Sequence, residues 1–447
     1  MIIMISLGVG IFLGFNIEWV SIKKNTDSFF KETNLADYKI INEVGFTKED
    51  SDKLFNNSQI ERLSRSLSVQ TDVKNKNGNT IILTVMEQEN VSNFVTVLGD
   101  KYDKESLDGV WISNSYANKN NLKINDEITL IYENIEISGR VKGLIYSSEY
   151  MVCVRDETQL MPDYKTHGYA YISPKMYKNL LGIEYYPQIN VISKLNKKEF
   201  NDLVRNTFNK NLIVLSKNEN ISYDGTQREI EEGKVMASIL PVIFLFVGSL
   251  TMVTTMHRLV TKEKTQIGIL KALGFKNKKI AAHYTFYSFI VTLVGILLGV
   301  GIGYLTALYI LKPDGAMRVY LDLPQIKLYM PTFCIVSMIV LFSVLTLVGY
   351  LSVRNILKGT VADTLKPYIP KKTKRIFFEK TKLWNKLGFG ARWNIRDSMR
   401  HKLRTLLSLI GVVGSTAIMI ASLGINDTMD AFLDLNYNKA MLYDSKI

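Results

Sequence analysis

The chain is poor in the residues on which metal sites and disulfide frameworks depend. It has two cysteines and four histidines in 447 residues. Cys153 lies in a largely polar region and Cys334 in a long apolar run, so we do not expect them to pair. The histidines show no spacing typical of a metal site. The sequence therefore predicts neither a disulfide framework nor a bound metal.

Motifs for nucleotide binding and hydrolysis are also missing from the sequence. It contains no G-x-x-x-x-G-K-[ST] loop, so the chain is not expected to hold ATP phosphates by that loop. It contains no G-x-S-x-G or H-E-x-x-H motif either. We therefore expect a protein that is not an enzyme and has no cofactor, and a membrane enzyme is the least favoured alternative.

Long apolar runs are abundant instead. They occupy positions 1–15, 236–256, 284–311, 329–353 and 403–423. All but the first are long enough to cross a hydrocarbon core of about 30 Å as a helix. No basic segment precedes the first run and no small-residue cleavage pattern follows it. We therefore interpret it as a span with a truncated front edge rather than a signal peptide.

Charge is distributed unevenly along the chain. Residues 16–234 carry 28 Lys/Arg and 32 Asp/Glu, whereas the rest carries 27 and 10. Segment 258–279 holds seven basic residues and segment 354–404 fifteen, against three in 312–328. Because basic loops stay in the cytoplasm, we predict a protein of the cell membrane whose N-terminus is cytoplasmic and whose domain at 19–234 lies outside. The net charge of +13 thus indicates topology and attraction to lipid headgroups, and no nucleic-acid partner is expected.

Local signals predict several elements of this outer domain. Thr47 and Asp50 form a capping box that opens a short helix. Asn77-Gly78 is a hairpin signal between strand patterns at 60–73 and 80–86. Pro174 and Gly182 bracket another helix, and a further helix is predicted over 197–211.

The predicted fold class is a multi-span α-helical membrane protein with a large α+β extracytoplasmic domain. The predicted order is a first span at 1–18, the extracytoplasmic domain at 19–234, a second span at 235–257, a cytoplasmic coupling loop at 258–282, a third span at 283–311, a short outer loop at 312–328, a fourth span at 329–353, a basic linker with an amphipathic helix at 354–402, a fifth span at 403–424 and the start of a second outer domain at 425–447.

A short basic helix pattern lies between the second and third spans. Gln266, Ile269, Leu270 and Leu273 recur at the spacing of one helical face. Gly274 suits the left-handed end of a helix. Two interpretations stay open: a loop helix that rests on lipid headgroups with its lysines outward, or a helix that docks in a groove of a cytosolic motor protein.

Residues 266–274 resemble the signature that follows the second span in FtsX/MacB-type ABC transporter permeases. Gln266 stands where that family usually has Glu. The order of spans and outer domain is similar over nearly the whole chain. The resemblance implies a permease subunit that receives conformational change from a separate cytosolic ABC ATPase, for export, extraction or signalling outside the membrane. The docking residues that it implies are Lys262, Gln266, Ile267, Ile269, Leu270, Lys271, Leu273 and Gly274.

The main rival function is a membrane-anchored extracytoplasmic sensor or adaptor that works without an ATPase. Such a protein would have no need of a docking helix between the second and third spans. It would instead end in a signalling domain, and the sequence contains no such domain. Co-purification of an ATPase separates the two functions.

Glycines recur every fourth residue in the third span. Gly295, Gly299 and Gly303 fall on one helical face, and Gly10 and Gly14 do the same in the first span. Small residues at this spacing let helices approach closely, so the third-span glycines are predicted to pack against another helix. The alternative is a flexible or tilted span, and for Gly10 and Gly14 both interpretations are equally favoured.

The end of the chain resembles its beginning. Leu35, Asp37, Lys39 and Ile40 have counterparts at the same spacing in Leu442, Asp444, Lys446 and Ile447. Both sets follow an apolar run, so we interpret the fifth span as the start of a second repeat. The expected partner is therefore a missing second half or a second permease copy. In the family an elbow helix lies along the inner leaflet, and the basic amphipathic segment around Trp393 is predicted to bind membrane lipid in this way.

Overall fold

A computed structural model of the protein describes most of the chain. The described residues are 1–155, 159, 161–182, 184–313, 315, 317, 320–357, 384 and 387–400, with scattered positions from 405 to 435. Most of the basic linker, the body of the predicted fifth span and the end of the predicted repeat lie outside the described residues.

The described elements combine long helices with a mixed sheet, as the sequence predicts for a multi-span helical membrane protein with an α+β domain. The helices are α1 (Ile2–Glu32), α2 (Lys48–Phe55), α3 (Asn114–Lys119), α4 (Pro174–Leu181), α5 (Lys197–Phe208), α6 (Ile221–Lys262), α7 (Lys264–Ala272), α8 (Asn277–Leu311), α9 (Thr332–Leu357) and α10 (Phe389–Arg400). The strands are β1 (Tyr38–Ile41), β2 (Ile60–Val73), β3 (Thr80–Met86), β4 (Phe94–Gly99), β5 (Gly109–Ser113), β6 (Glu127–Tyr132), β7 (Ile135–Ser147), β8 (His167–Ile172), β9 (Gln188–Ser193) and β10 (Ile213–Ser216).

Four of the described helices, α1, α6, α8 and α9, are long and apolar enough to cross a membrane. The chain divides into two compact units. We call Phe12–Ser238 with Gly303–Cys334 the sheet unit, and Met1–Ile11 with Ile239–Ile302 and Ile335–Ile447 the helical unit.

The sheet unit contains a ten-stranded mixed sheet. Its strand order is β10-β1-β9-β2-β3-β8-β5-β7-β4, and β6 pairs with β2 and β7. Most pairs are antiparallel, but β3 with β8 and β5 with β7 are parallel. Many neighbouring strands of the sheet are therefore distant in the sequence, and the centre of the sheet depends on their pairing.

The local sequence signals are confirmed where they depend on a few neighbouring residues. Thr47 and Asp50 form both hydrogen bonds of the capping box of α2. β2 and β3 pair antiparallel across Gly78, which has a φ of +82°. Pro174 begins α4, and Gly182 ends it in the left-handed conformation.

Two helices differ in length from the sequence prediction. α5 ends at Phe208 rather than at residue 211, because Asn209 takes a left-handed φ of +52°. α1 continues without a break past residue 18 to Glu32. The extension is helical although it is polar in part, because Ile22, Phe29 and Phe30 face a buried core.

That core joins four segments of the sheet unit. It contains Ile22, Phe29 and Phe30 of α1, Ile230 of α6, Met151 and Val152 after β7, and Leu321 and Leu323 of the α8–α9 loop. Two further cores cover the sheet, one with α3 and α4 and one with α2 and α5. The loop after α8, predicted only as a short outer loop, is thus part of the hydrophobic interior.

Candidate functional site

The helix with the permease-like signature is short and sharply terminated. α6 ends at Lys262, and α7 begins at Lys264 with Glu263 at its N-cap. Gly274 has a φ of +85°. Its backbone N–H donates to Lys271 and that of Phe275 donates to Leu270, each at 3.0 Å. These two bonds form the Schellman motif, so the predicted left-handed end at Gly274 is confirmed.

α7 presents an apolar surface to its surroundings. Leu273 is 70% exposed, Ile269 50% and Phe275, just after the helix, 49%. We call these three side chains the α7 apolar face. Exposed apolar side chains clustered on one element are typical of interaction sites.

The remaining predicted docking residues occupy different environments. Lys262, Gln266 and Gly274 are exposed and Leu270 is half-buried. Ile267 is fully buried in the helical unit and so faces its interior.

Lys271 contacts another helix of the helical unit. Its Nζ donates to the carbonyl oxygen of Leu357 at 2.7 Å. Leu357 belongs to α9, so this bond connects α7 to α9 within the helical unit.

The glycines of α8 lie against α1 within the helical unit. A Cβ added at Gly299 would lie 2.6 Å from the Cβ of Val9, and one at Gly295 would lie 2.8 Å from Ile5. The contact is reciprocal, because a Cβ added at Gly10 would lie 2.7 Å from Ile302. The two helices thus approach too closely for any side chain at these positions.

Two further glycines form a similar contact within the sheet unit. A Cβ added at Gly14 would lie 3.1 Å from Thr306 and 3.4 Å from the carbonyl oxygen of Gly303. By contrast, a Cβ added at Gly301 would meet no atom within 4 Å. The glycines that allow close packing are therefore those at the predicted four-residue spacing, and Gly301 is not among them.

α10 carries exposed aromatic side chains. Phe389 is 82% exposed and Trp393 60%. Its sequence places basic residues between them and beyond. These features suit a helix at a lipid interface, and the lipid contact stays a prediction.

The sheet unit also contains an apolar cavity of about 350 Å³. It is lined by β2, β3, the β6–β7 hairpin and α4, through Leu67, Ser68, Val69, Leu83, Val85, Tyr132, Ile135, Ile137, Ile172, Tyr177, Leu180, Leu181, Tyr185 and Pro187. Among the described residues, no group of three or more His, Cys, Asp or Glu side chains could hold a metal ion.

One functional candidate was missed by the sequence analysis. Asp322, in the loop between α8 and α9, is only 2% exposed. Tyr169 donates a hydrogen bond from its hydroxyl to Asp322 at 3.0 Å. Burial and the charge of Asp322 raise the pKa of the Tyr169 hydroxyl well above its ordinary value, so it remains a donor. Leu321 and Leu323 beside Asp322 are buried as well, so a simple alternation of apolar and polar residues does not reveal the burial of Asp322.

Comparison with known proteins gives one family match. Residues 238–361 match the family model described as FtsX-like permease C-terminal. The match covers α7, α8 and α9, and it confirms the resemblance to FtsX-like permeases over this region. A comparison with curated proteins gives no match.

Two solved structures resemble part of the chain. The extracellular domain of the noncanonic ABC-type transporter YknZ from Gram-positive bacteria has 13% identity and a TM-score of 0.29, covering 41% of this chain and 100% of its own. The periplasmic region of MacB from Actinobacillus actinomycetemcomitans has 15% identity and a TM-score of 0.28, covering 43% of this chain and 92% of its own.

Proposed function

We propose that this chain, in which residues 238–361 are an FtsX-like permease region, is the membrane subunit of an ABC transporter. In this role it carries the conformational change of a separate cytosolic ATPase to the sheet unit, for export, extraction or signalling. The observation that supports the proposal most is α7. A short helix between two candidate spans, with Ile269 and Leu273 exposed, is what docking to a partner requires.

The proposed topology places α7 in the cytoplasm and the sheet unit outside the plasma membrane. It rests on the basic residues of segments 258–279 and 354–404, which favour the cytoplasmic side. α10 then lies at the inner leaflet, with Trp393 among the lipid headgroups. A second copy of the permease is the proposed partner in the membrane.

The connections of α7 suit the transfer of movement. One residue, Glu263, separates α6 from α7, and Lys271 bonds to Leu357 of α9. A displacement of α7 by a docked ATPase would therefore act on both α6 and α9.

Co-purification tests this function. The tagged chain is isolated from the membranes of its host, and bound proteins are identified by mass spectrometry. We expect an ABC ATPase to accompany the unaltered chain and to be lost with Leu273→Asp. A carboxylate forced into an apolar groove costs about 3 kcal/mol, or roughly a hundredfold in affinity.

Val44→Asp is the matched control, because Val44 is 82% exposed in the sheet unit. This variant should keep the ATPase. Absence of an ATPase from the unaltered chain would favour the sensor or adaptor without a motor. Retention of the ATPase by Leu273→Asp would show that α7 does not dock.

A further inference from the structure

Three elements that lead into predicted spans meet at one short stretch of the sheet unit. This stretch, residues 147–152, begins at the last residue of β7 and contains the 3-10 turn Ser148–Tyr150. We call it the junction segment. Ser147, Ser148, Met151 and Val152 in it are buried, and Glu149 is 9% exposed.

The first of these elements is α1. The hydroxyl of Thr33, the residue after its end, forms a hydrogen bond with the Ser148 hydroxyl at 2.7 Å. Both side chains are buried, at 1% and 0% exposure. Water therefore cannot replace either partner, and the end of α1 is fixed to the junction segment.

The second element is the start of α6. Asn220 donates from Nδ2 to Glu149 Oε2 at 3.0 Å. Ser222 donates from its hydroxyl to the Glu149 carbonyl at 2.9 Å, and it accepts from the Val152 N–H at 3.0 Å. The first turn of α6 is thus bonded to the junction segment through both backbone and side chain.

Glu149 is also tied to the sheet. Its carboxylate accepts hydrogen bonds from the Ser92 hydroxyl and from the ammonium of Lys39 in β1. Burial lowers the pKa of Lys39, but the charge of Glu149 outweighs this and holds it above its ordinary value. Lys39 therefore stays charged, and β1 and α6 share one anchoring carboxylate.

The third element is the α8–α9 loop. The Asp322 N–H donates to the Met151 carbonyl at 2.7 Å. Its carboxylate accepts from the hydroxyls of Ser115 and Tyr169. The Tyr169 oxygen in turn accepts from the Ser147 N–H at 3.0 Å. Asp322 thereby reaches both ends of the junction segment.

We propose that the junction segment combines the movements of α1, α6 and the α8–α9 loop and passes them into the sheet through β7, with Asp322 as the positioning residue that attaches the loop. This inference rests on the proposed function. A buried carboxylate is costly unless each oxygen is paired, and an apolar residue would fill the same space at lower cost. Unlike an apolar residue, the carboxylate attaches the loop through hydrogen bonds of fixed direction.

Hydrogen exchange of the full chain with its ATPase, in lipid nanodiscs, tests this inference. Exchange of residues 135–152 and 167–172 is compared with and without a non-hydrolysable ATP analogue. We expect nucleotide to change exchange in the unaltered protein and most of that change to be lost in Asp322→Ala. The ATPase should bind this variant as before, because Asp322 lies outside α7.

Glu136→Ala is the matched control, since Glu136 is a half-exposed carboxylate on β7 that pairs with Lys74. It should keep the nucleotide effect. If the ATPase binds but Asp322→Ala responds as the unaltered chain does, the inference is overturned. It is overturned equally if nucleotide leaves residues 135–152 unchanged in the unaltered complex. Failure of the ATPase to bind at all is a separate result, and it counts against the proposed function.

A covalent replacement covers the case in which Asp322→Ala loosens the fold. Ser115→Cys with Asp322→Cys, in a Cys153→Ala, Cys334→Ala background, places two thiols where the side chains now meet. The nucleotide effect should be present in the oxidised form and lost after reduction. An equal effect in both forms, with the disulfide verified by mass, would contradict the inference.

Discussion

Lys271 donates from Nζ to the carbonyl oxygen of Leu357 at 2.7 Å, which fastens α7 to α9. The family resemblance assigns Lys271 to docking, and the structure gives it a contact within the chain. The docking proposed for α7 and the position of α9 are therefore connected through one side chain.

Removal of this hydrogen bond should weaken coupling without preventing assembly. Lys271→Met keeps most of the aliphatic stem and removes the donor. The bond is only partly buried, so we expect a loss of about 1 kcal/mol, or roughly fivefold in the stimulation of ATP hydrolysis by the permease. Lys278→Met, at an exposed lysine of α8, should behave as the unaltered chain. Equal stimulation in the two variants would count against a coupling role.

The glycine contact between α1 and α8 predicts a position-specific loss of stability. Gly299→Val would place side-chain atoms against Val9 and the carbonyl oxygen of Ser6. Overpacking of this kind costs about 1–3 kcal/mol, so we expect a lower midpoint of thermal unfolding in detergent. Gly301→Val, two residues away where a Cβ meets nothing within 4 Å, is the control. If both variants unfold at the same temperature, close packing of α1 against Gly299 of α8 does not contribute to stability.

The proposed topology predicts which residues a membrane-impermeant maleimide reaches. Val44→Cys and Asn277→Cys are introduced separately in a Cys153→Ala, Cys334→Ala background, and both sites are exposed. In intact cells we expect labelling of Val44→Cys alone, and of Asn277→Cys only after permeabilisation. The reverse pattern would invert the orientation. Asn277 begins α8 and Val44 follows β1, so neither site interrupts a helix or strand.

The thiol of Cys153 gives a pH-dependent expectation. Burial, and then the nearby Asp322, raise the pKa of Cys153 well above its ordinary value. The thiolate is the reactive form, so a raised pKa means less of it at any given pH. In a Cys334→Ala variant we expect a permeant maleimide to label Cys153 very slowly from pH 7 to 9 and fast after denaturation. A rate that reaches half of its maximum near pH 8.5, as for a free thiol, would contradict this.

The sequence predicts best what depends on adjacent residues. The Thr47–Asp50 box, the Gly78 turn and the Gly274 cap each need only a few neighbours and one backbone conformation, and all three are found. The apolar windows predict the four described helices that are long and apolar enough to cross a membrane, because a hydrocarbon core selects for length and composition.

The sequence predicts poorly what depends on distant partners. The extension of α1 to Glu32 follows from Phe29 and Phe30 meeting Leu321 and Leu323, a contact that no local pattern reveals. The parallel pairing of β3 with β8 depends in the same way on strands far apart in the chain. Asp322 was missed for this reason, since an acid in a loop between two spans is usually solvated.

The burial of the α8–α9 loop sets the order in which the protein matures during synthesis. Asn25 exchanges hydrogen bonds with the backbone of Lys327, 302 residues later. The ribosome delivers Leu321 and Leu323 only after α6, α7 and α8 have left it, so the core around Ile22 and Phe29 lacks the part that the loop contributes until then. Apolar surface that waits this long is prone to non-native association and to recognition by chaperones and proteases. The sheet unit can therefore be completed only after α6, α7 and α8 have been synthesised.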